Sequence, residues 1–223
     1  MKIEIWSDVV CPFCYIGKRR LETALDQFKG KDSIEIEWKS FQLSPEQKTV
    51  TGQTLNQYLA EEKGWSPEYA KEMNDRVSYM AEQVGLTYHL DKAIPANTHK
   101  AHELIHLAKE SGKQSAAKER LLQAYFTESK NIDDDLTLIQ LGKEIGIDDE
   151  VIKTALKNRT YANQVEEDLY EARLLGIRGV PFFVFNRKYA ISGAQEVSTF
   201  SQTLETSFKE WRQENPEIVH GRN

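Results

Sequence analysis

The sequence predicts an α/β fold in which a small sheet is interrupted by a large all-helical insertion. Two observations predict it. The first 43 residues follow the order strand, helix, strand, and the residues after 176 follow the order strand, strand, helix. The roughly 130 residues between them carry helix signals almost throughout. We therefore expect a sheet domain in two halves, 1–43 and 177–215, with a helical domain at 44–176 and a C-terminal tail at 216–223.

The first half begins with an amphipathic strand. Residues 3–7 alternate apolar and polar side chains, which is typical of a half-buried strand. Apolar residues then recur at helical spacing over 11–28, and Gly30 follows the predicted helix end. Residues 34–43 alternate again and predict the second strand.

The central segment is divided by helix start and stop signals. Thr54 and Ser66-Pro67 are typical of helix N-termini, and glycines close several of the helices. The predicted helices cover residues 55–63, 67–84, 97–112, 121–126, 136–145, 151–156 and 165–175.

The second half predicts a hairpin followed by a helix. Residues 182–185 and 189–192 form two short strands, and the three residues between them suit a hairpin connection. Apolar residues at helical spacing over 197–211 predict an amphipathic helix that covers the sheet.

Composition excludes several classes of partner. The chain of 223 residues has a formal net charge of −6, which argues against binding a nucleic-acid backbone. It lacks an apolar run of about 18 residues, so we expect no contact with a membrane. An acidic residue at position 4 and the missing apolar stretch argue against a secretory signal. We therefore expect a cytoplasmic protein.

The two cysteines are three residues apart, in the sequence CPFC at 11–14. A structural zinc site would need further Cys or His ligands at similar spacing, and a cytosolic protein has little need of a structural disulfide. A redox pair remains. Cys11 is predicted at a helix N-terminus, where free N–H groups and the helix dipole should lower the pKa of its thiol. Cys14 follows one turn later and suits the resolving role.

CPFC after an N-terminal strand, together with Gly179-Val180-Pro181 before the strand FFVF, resembles the DsbA-like thioredoxin superfamily. The similarity includes NTHKAHELIHLA and LLQAYFTESKNI, and it is closest to the FrnE-type cytoplasmic branch. It implies a thioredoxin-like fold and a protein dithiol–disulfide oxidoreductase or isomerase. Its redox group would be the Cys11–Cys14 disulfide, with no other cofactor and a cis peptide bond at Pro181. The substrate-binding residues that it implies are Pro12, Phe13, Val180, Pro181, Asn97 and His102.

Two residues depart from the pattern of this superfamily. Phe13 stands where DsbA-like oxidants often have a histidine that stabilises the thiolate, so we expect a less oxidising protein. Ile5 occupies the position of the buried acid that accepts a proton in thioredoxins. Asp8 is nearer to the cysteines, and from its loop position we expect it to be more exposed.

Residues 102–106 match H-E-x-x-H, the helical zinc pattern of metalloproteases. A zinc-dependent hydrolase is therefore one alternative function, with His99 one turn earlier on the same face. The second interpretation is a packed, partly polar helix face turned toward the sheet domain. We favour the second, because the redox motifs account for the whole order of elements, and we predict no metal site.

Two further alternatives stay open. A glutathione-dependent isomerase or transferase of the same fold would usually have Ser in place of Cys11 and no second Cys. A non-catalytic adaptor would carry the motif without using it. For an oxidoreductase the expected partners are thiol or disulfide proteins and peptides, with glutathione or a thioredoxin-type protein as reductant. The sequence leaves the oligomeric state open.

Overall fold

The structure is a computed structural model, and it describes residues 1–216; all but the first residue of the predicted tail lies outside the described residues. The strands are β1 (Lys2–Ser7), β2 (Glu35–Ser40), β3 (Phe182–Phe185) and β4 (Tyr189–Ser192). The helices are α1 (Pro12–Asp26), α2 (Leu55–Lys63), α3 (Pro67–Glu82), α4 (His99–Glu110), α5 (Gln114–Phe126), α6 (Asp135–Glu144), α7 (Asp149–Asn158), α8 (Ala162–Leu174) and α9 (Val197–Glu214), with a 3₁₀ turn at Lys31–Ser33.

The predicted fold class is confirmed. In the described residues the strands form one mixed sheet in the order β2-β1-β3-β4. β1 and β2 are parallel and are joined through α1, whereas β1 pairs with β3, and β3 with β4, in antiparallel fashion. Seven helices separate β2 from β3, so the helical segment interrupts a thioredoxin-like sheet. No helix of residues 1–216 combines the length and apolar character needed to cross a membrane.

Helix α5 is longer than the sequence pattern indicates. Its first turns contain Gln114 and Lys118, polar residues that hide the apolar spacing, so the prediction began the helix only at Leu121. Both polar side chains are nevertheless buried. The error arose because the buried face of this helix is polar at its N-terminal end.

One apolar core runs from the sheet into the insertion. Ile5 of β1 and Phe183 of β3 are paired neighbours in the sheet, and both are fully buried in this core together with Phe200 of α9. Trp38 of β2 and Leu121 of α5 belong to the same core. The helical insertion therefore shares its hydrophobic interior with the sheet.

The outer edge of β2 is closed by side chains of the insertion. The amide of Gln114 accepts a hydrogen bond from the Trp38 N–H at 3.0 Å and donates to the Trp38 carbonyl at 2.9 Å. The carboxylate of Asp168, on α8, accepts from the Ser40 N–H at 2.7 Å. These contacts satisfy backbone groups that an edge strand would otherwise leave open.

Helix α4 is fixed to the ends of β1 and β2 by two buried histidine–aspartate contacts. His102 Nε2 lies 3.2 Å from Asp8 Oδ1, just after β1. His106 Nε2 lies 3.0 Å from Asp168 Oδ2 and 3.1 Å from Ser40 Oγ. The H-E-x-x-H face is thus packed against the sheet domain.

Helix α6 packs closely against its neighbours at Gly142. A Cβ atom added there would lie 2.5 Å from Ile152 Cδ1 on α7 and 3.2 Å from Leu104 Cδ1 on α4. Both contacts come from fully buried side chains. The close approach of three helices therefore leaves little room for a side chain at this position.

We expect Gly142→Ala to lower the free energy of unfolding by about 1–3 kcal/mol, because the added methyl group overpacks the helix interface. Denaturant unfolding measures it. Gly179→Ala is the control, since no atom lies within 4 Å of a Cβ built there. A Gly142→Ala protein as stable as the control would show that α6 shifts freely.

The second prediction concerns pH. Burial in the fold, the largest effect, lowers the pKa of His102 from its ordinary value of 6.5, so the folded state keeps the ring neutral where the unfolded chain protonates. Stability is therefore present above about pH 6.5 and falls as the pH falls toward the folded pKa, with a slope of up to about 1.4 kcal/mol per pH unit for one proton. The measurement is unfolding by urea between about pH 7.5 and about pH 5.5.

His102→Gln should flatten this slope while keeping an N–H donor for Asp8. His89→Gln is the matched control, because His89 is exposed. Equal slopes in the wild type and His102→Gln would contradict the assignment.

Candidate active site

The start of α1 places the two cysteines. Cys11 is the N-cap residue in an extended conformation, and Pro12 occupies the first helical position, where its missing N–H is not needed. The Cys14 N–H donates to the Cys11 carbonyl at 3.0 Å, which closes the first turn. Both cysteines are reduced and buried, with 3% and 1% of their surfaces exposed. This is the one-turn arrangement that the CPFC spacing predicts.

The loop before β3 meets Cys11 from the other half of the sheet domain. The Val180–Pro181 peptide bond is cis, as the resemblance implies. Cys11 Sγ donates to the Val180 carbonyl at 3.4 Å. Gly17 allows this approach, because a Cβ atom there would lie 3.1 Å from both Pro181 Cγ and Phe183 Cζ. The structure therefore brings together the two motifs that lie 169 residues apart in the sequence.

The outer rim of the site carries one large apolar side chain. Phe13 is 38% exposed and Pro12 is half-buried. Tyr88, from the segment between α3 and α4, donates its hydroxyl to the Pro12 carbonyl at 2.8 Å. Tyr88 also stacks on Phe126 of α5, with ring centroids 4.6 Å apart. The insertion thus supports the helix start from one side, while Phe13 faces solvent.

Beneath the cysteines lie buried polar groups that sequence reasoning missed. Lys118 of α5 is 1% exposed, and its ammonium donates to the Ser7 carbonyl at 3.1 Å. The Ser7 hydroxyl is buried and has no partner among the oxygen and nitrogen atoms of the described residues. One sequence pattern could have indicated that Lys118 is buried. Residues 118, 121, 122 and 125 lie on one helix face, and the lysine is its first residue before three apolar ones.

The expectation that Asp8 is more exposed is wrong. Its side chain is 1% exposed, and both carboxylate oxygens are engaged. Oδ1 accepts from the Val9 N–H at 2.8 Å and from His102, and Oδ2 accepts from the Leu43 N–H at 2.8 Å. Burial alone would raise the pKa of Asp8, but the hydrogen bond from His102 and the Leu43 N–H lower it overall. Asp8 is therefore a buried, hydrogen-bonded anion.

The two thiols interact with each other, and the predicted lowering of the Cys11 pKa is wrong for this reduced state. A hydrogen bond with Cys14 and burial raise the pKa of Cys11. Burial would also raise the pKa of Cys14, but its hydrogen bond with Cys11 and the charge of Lys118 lower it. The contact between the thiols therefore opposes ionisation of Cys11 in the reduced protein, and Cys11 is the sulfur that contacts the Val180 carbonyl.

The two candidate substrate residues of the insertion lie elsewhere. Asn97 uses its amide to hold the start of α4, donating to the carbonyls of Pro45 and Gln47 at 3.1 and 2.8 Å and accepting from the His99 N–H at 2.8 Å. His102 is 1% exposed and reaches the site only through Asp8. A substrate contact by either residue stays a prediction.

The histidines of the H-E-x-x-H motif do not form a zinc-binding site with other described residues. His102 and His106 point at two different carboxylates. Within residues 1–216, no three His, Cys, Asp or Glu side chains converge on a point that could hold a metal ion. Ser40 and Asp168 both contact the same nitrogen of His106, so this buried trio also lacks the relay geometry of a serine hydrolase.

Solved structures share this fold over nearly the whole chain. A probable DsbA oxidoreductase from Streptomyces coelicolor is 36% identical with a TM-score of 0.89, and the match covers 94% of this chain and 91% of that one. A 2-hydroxychromene-2-carboxylate isomerase is 14% identical with a TM-score of 0.69, over 98% of this chain and 99% of that one. The second likeness shows the fold alone.

The sequence comparisons identify the family. The uncharacterized protein YwbO of Bacillus subtilis is 33% identical over 207 residues, which are 91% of this chain and 94% of that protein. The sequence model of the DSBA-like thioredoxin domain matches residues 2–205. The match includes both cysteines, Pro181 and the entire helical insertion. The chain therefore belongs to the DSBA-like thioredoxin domain family.

Proposed function

We propose that this protein is a thiol–disulfide oxidoreductase that exchanges disulfides with protein, peptide or small thiol substrates through Cys11 and Cys14. The observation that carries the proposal is the meeting of two reduced thiols at a helix N-terminus with the Val180 carbonyl, 3.4 Å from Cys11 Sγ. A substrate in extended conformation could pair with the backbone at Val180 and present its sulfur to Cys11. The similarity to a probable DsbA oxidoreductase at 36% identity supports the same reaction class.

The exchange has two steps. Cys11 gives up its proton, and its thiolate attacks one sulfur of a substrate disulfide; a mixed disulfide forms and the other substrate sulfur leaves as a thiolate. Cys14 then gives up its proton and attacks the Cys11 sulfur, the bond to substrate breaks, and the second substrate thiolate leaves. The protein ends as the Cys11–Cys14 disulfide, and the two thiolates take up protons. The reverse sequence oxidises a dithiol.

The isomerase alternative rests on the fold, which an isomerase shares. The cysteine pair favours the redox reaction, because a second thiol three residues on has a role only in resolving a mixed disulfide. Cys11 Sγ contacts the Val180 carbonyl at 3.4 Å, which favours Cys11 as the sulfur that meets a substrate.

Glutathione or a thioredoxin-type protein is the proposed reductant, since either presents a thiol that can attack an exposed disulfide. Phe13 offers the exposed apolar contact for a polypeptide substrate. The cytoplasmic location and membership of the FrnE-type branch stay predictions of the sequence.

Activity tests the proposal first. The wild type should catalyse reduction of insulin disulfides by a glutathione system and oxidation of a model dithiol peptide, while Cys11→Ser should fall to the uncatalysed rate. Phe13→Ala is the control variant, because it keeps both thiols and removes only the exposed apolar side chain beside them. It should keep thiol exchange with glutathione and lose rate only with polypeptides. A wild type no faster than Cys11→Ser would reject the oxidoreductase in favour of an adaptor or isomerase.

Trapping tests the division of roles. Cys14→Ala should accumulate mixed disulfides through Cys11, because the resolving thiol is gone and the hydrogen bond that raises the Cys11 pKa is removed. Cys11→Ala should accumulate few, since Cys11 is the sulfur at the N-cap of α1 that contacts the Val180 carbonyl. Non-reducing electrophoresis with mass spectrometry measures the adducts. Equal trapping by the two variants at matched thiol concentrations would reject these assignments.

A further inference from the structure

A cavity of about 230 Å³ lies at the same end of the sheet as the cysteines. The turn that leads from β1 into α1 forms one side of it. Asp8 and Val10 line the cavity, and the Cys11 N–H closes this turn by donating to the Asp8 carbonyl at 3.4 Å. The segment after β2, at Leu43 and Ser44, forms another side. The cavity therefore crosses the carboxyl ends of two neighbouring parallel strands, where sheets of α/β proteins usually bind their ligands.

The walls of the cavity are largely apolar. Helix α2 contributes Leu55 and Leu59, and the segment before α4 contributes Ala96. At the rim, Glu62 and Lys63 are exposed and carry one charge of each sign. A neutral ligand with an apolar body therefore fits this lining.

The floor of the cavity carries a buried phenol without a hydrogen-bond partner. Tyr125 of α5 lines the cavity and is 1% exposed. Its hydroxyl makes no hydrogen bond within residues 1–216, and the two groups whose charges act on it, Asp8 and Tyr58, line the same cavity. Burial raises the pKa of Tyr125, so the hydroxyl keeps its proton and remains a donor. Because buried tyrosine hydroxyls usually have a partner, this one is placed to bind a group that enters the cavity.

The polar groups beside Tyr125 on the floor are already engaged. The Asp8 carboxylate accepts from His102 and from two backbone N–H groups. The Thr98 hydroxyl accepts from the Gln42 amide at 3.3 Å. Of these three floor residues, Tyr125 is the one whose donor is left for a ligand.

The volume limits what the cavity can take. Pockets that bury a drug-sized molecule measure about 300–1,000 Å³, so this smaller cavity suits one side chain of a larger ligand. Val10 adjoins Cys11, with Cα atoms about 3.8 Å apart. In an extended chain, side chains two residues apart lie on the same face at a spacing of about 7 Å. A substrate segment whose cysteine meets Cys11 can thus place a neighbouring side chain in the cavity.

We propose that this cavity is a specificity pocket for polypeptide substrates, which takes a tyrosine side chain within two residues of the reacting cysteine and pairs its hydroxyl with Tyr125. The inference rests on the proposed function and narrows its substrate class. The ring of a tyrosine contacts the apolar walls, while its hydroxyl reaches the floor. A phenylalanine would fill the same walls but would take water from the Tyr125 hydroxyl without replacing its hydrogen bond.

The experiment uses single-cysteine peptides, each supplied as its symmetric disulfide dimer. Glycine, phenylalanine or tyrosine is placed in turn at the four positions within two residues of the cysteine. The second-order rate constant for oxidation of the reduced protein is measured for each peptide. At one or more positions, phenylalanine should exceed glycine, and tyrosine should exceed phenylalanine by about threefold to tenfold, the value of one neutral hydrogen bond.

Tyr125→Phe should bring the ratio of tyrosine to phenylalanine peptides down to about one, because the two hydroxyls form one pair. Ser44→Trp places an indole ring at the exposed rim of the cavity and should reduce the advantage of both aromatic peptides over glycine. Tyr189→Phe is the matched control. It removes a hydroxyl that donates to Glu210, outside the cavity lining, and should keep the wild-type ratio.

The outcomes separate this inference from the proposed function. A wild type that none of the peptides oxidises, glycine peptides included, contradicts the proposed function. A wild type that tyrosine and phenylalanine peptides oxidise equally at all four positions overturns this inference alone. A tyrosine preference that survives in Tyr125→Phe also overturns it. If Tyr125→Phe does not fold, Ser44→Trp decides, and an aromatic preference that it leaves intact overturns the inference.

Discussion

The structure depends on satisfying buried backbone groups at the carboxyl ends of β1 and β2. The insertion covers these strand ends, so water cannot serve their N–H and C=O groups, and each group left unpaired would cost free energy. Side chains form hydrogen bonds with these backbone groups instead. Gln114 pairs with both backbone groups of Trp38, Asp168 accepts from Ser40, and Lys118 donates to Ser7. The contact surface between the insertion and the sheet is therefore polar at the strand ends and apolar elsewhere.

The same constraint assembles the site from three separate stretches of chain. Cys11 and Cys14 come from the first half of the sheet domain, Val180 from the second half, and Lys118 from the insertion. The sheet alone would present the two motifs but would leave the Ser7 carbonyl and the floor under Cys14 open to water. The insertion excludes that water, which strengthens every charge interaction beneath the sulfurs.

Local signals predict much of this arrangement. The order of elements, the helix starts at Thr54 and Ser66, and the meeting of CPFC with Pro181 follow from periodicity, capping and the family resemblance. The environment of Asp8 did not follow, because its burial is caused by α4, which lies some ninety residues away in the sequence. Lys118 was missed for a related reason. Composition treats lysine as a surface residue, and only the tertiary contact with Ser7 shows that this one is inside.

The residues that supply buried charge near the cysteines distinguish this site from the thioredoxin pattern. A buried acid in that place opposes a thiolate by like charge and can accept its proton. Here the corresponding position is Ile5, which is fully buried and apolar. The Asp8 carboxylate accepts hydrogen bonds from His102 and from two backbone N–H groups. Asp8 is nevertheless an anion held by neutral donors, and the charge of the buried Lys118 ammonium lowers its pKa further. Phe13 supplies no charge from within the motif, so the charges that act on the two thiols come from the buried Asp8 and Lys118. The interior of the protein therefore sets the charge around the cysteine pair, while Cys11 Sγ meets the loop before β3 at the Val180 carbonyl.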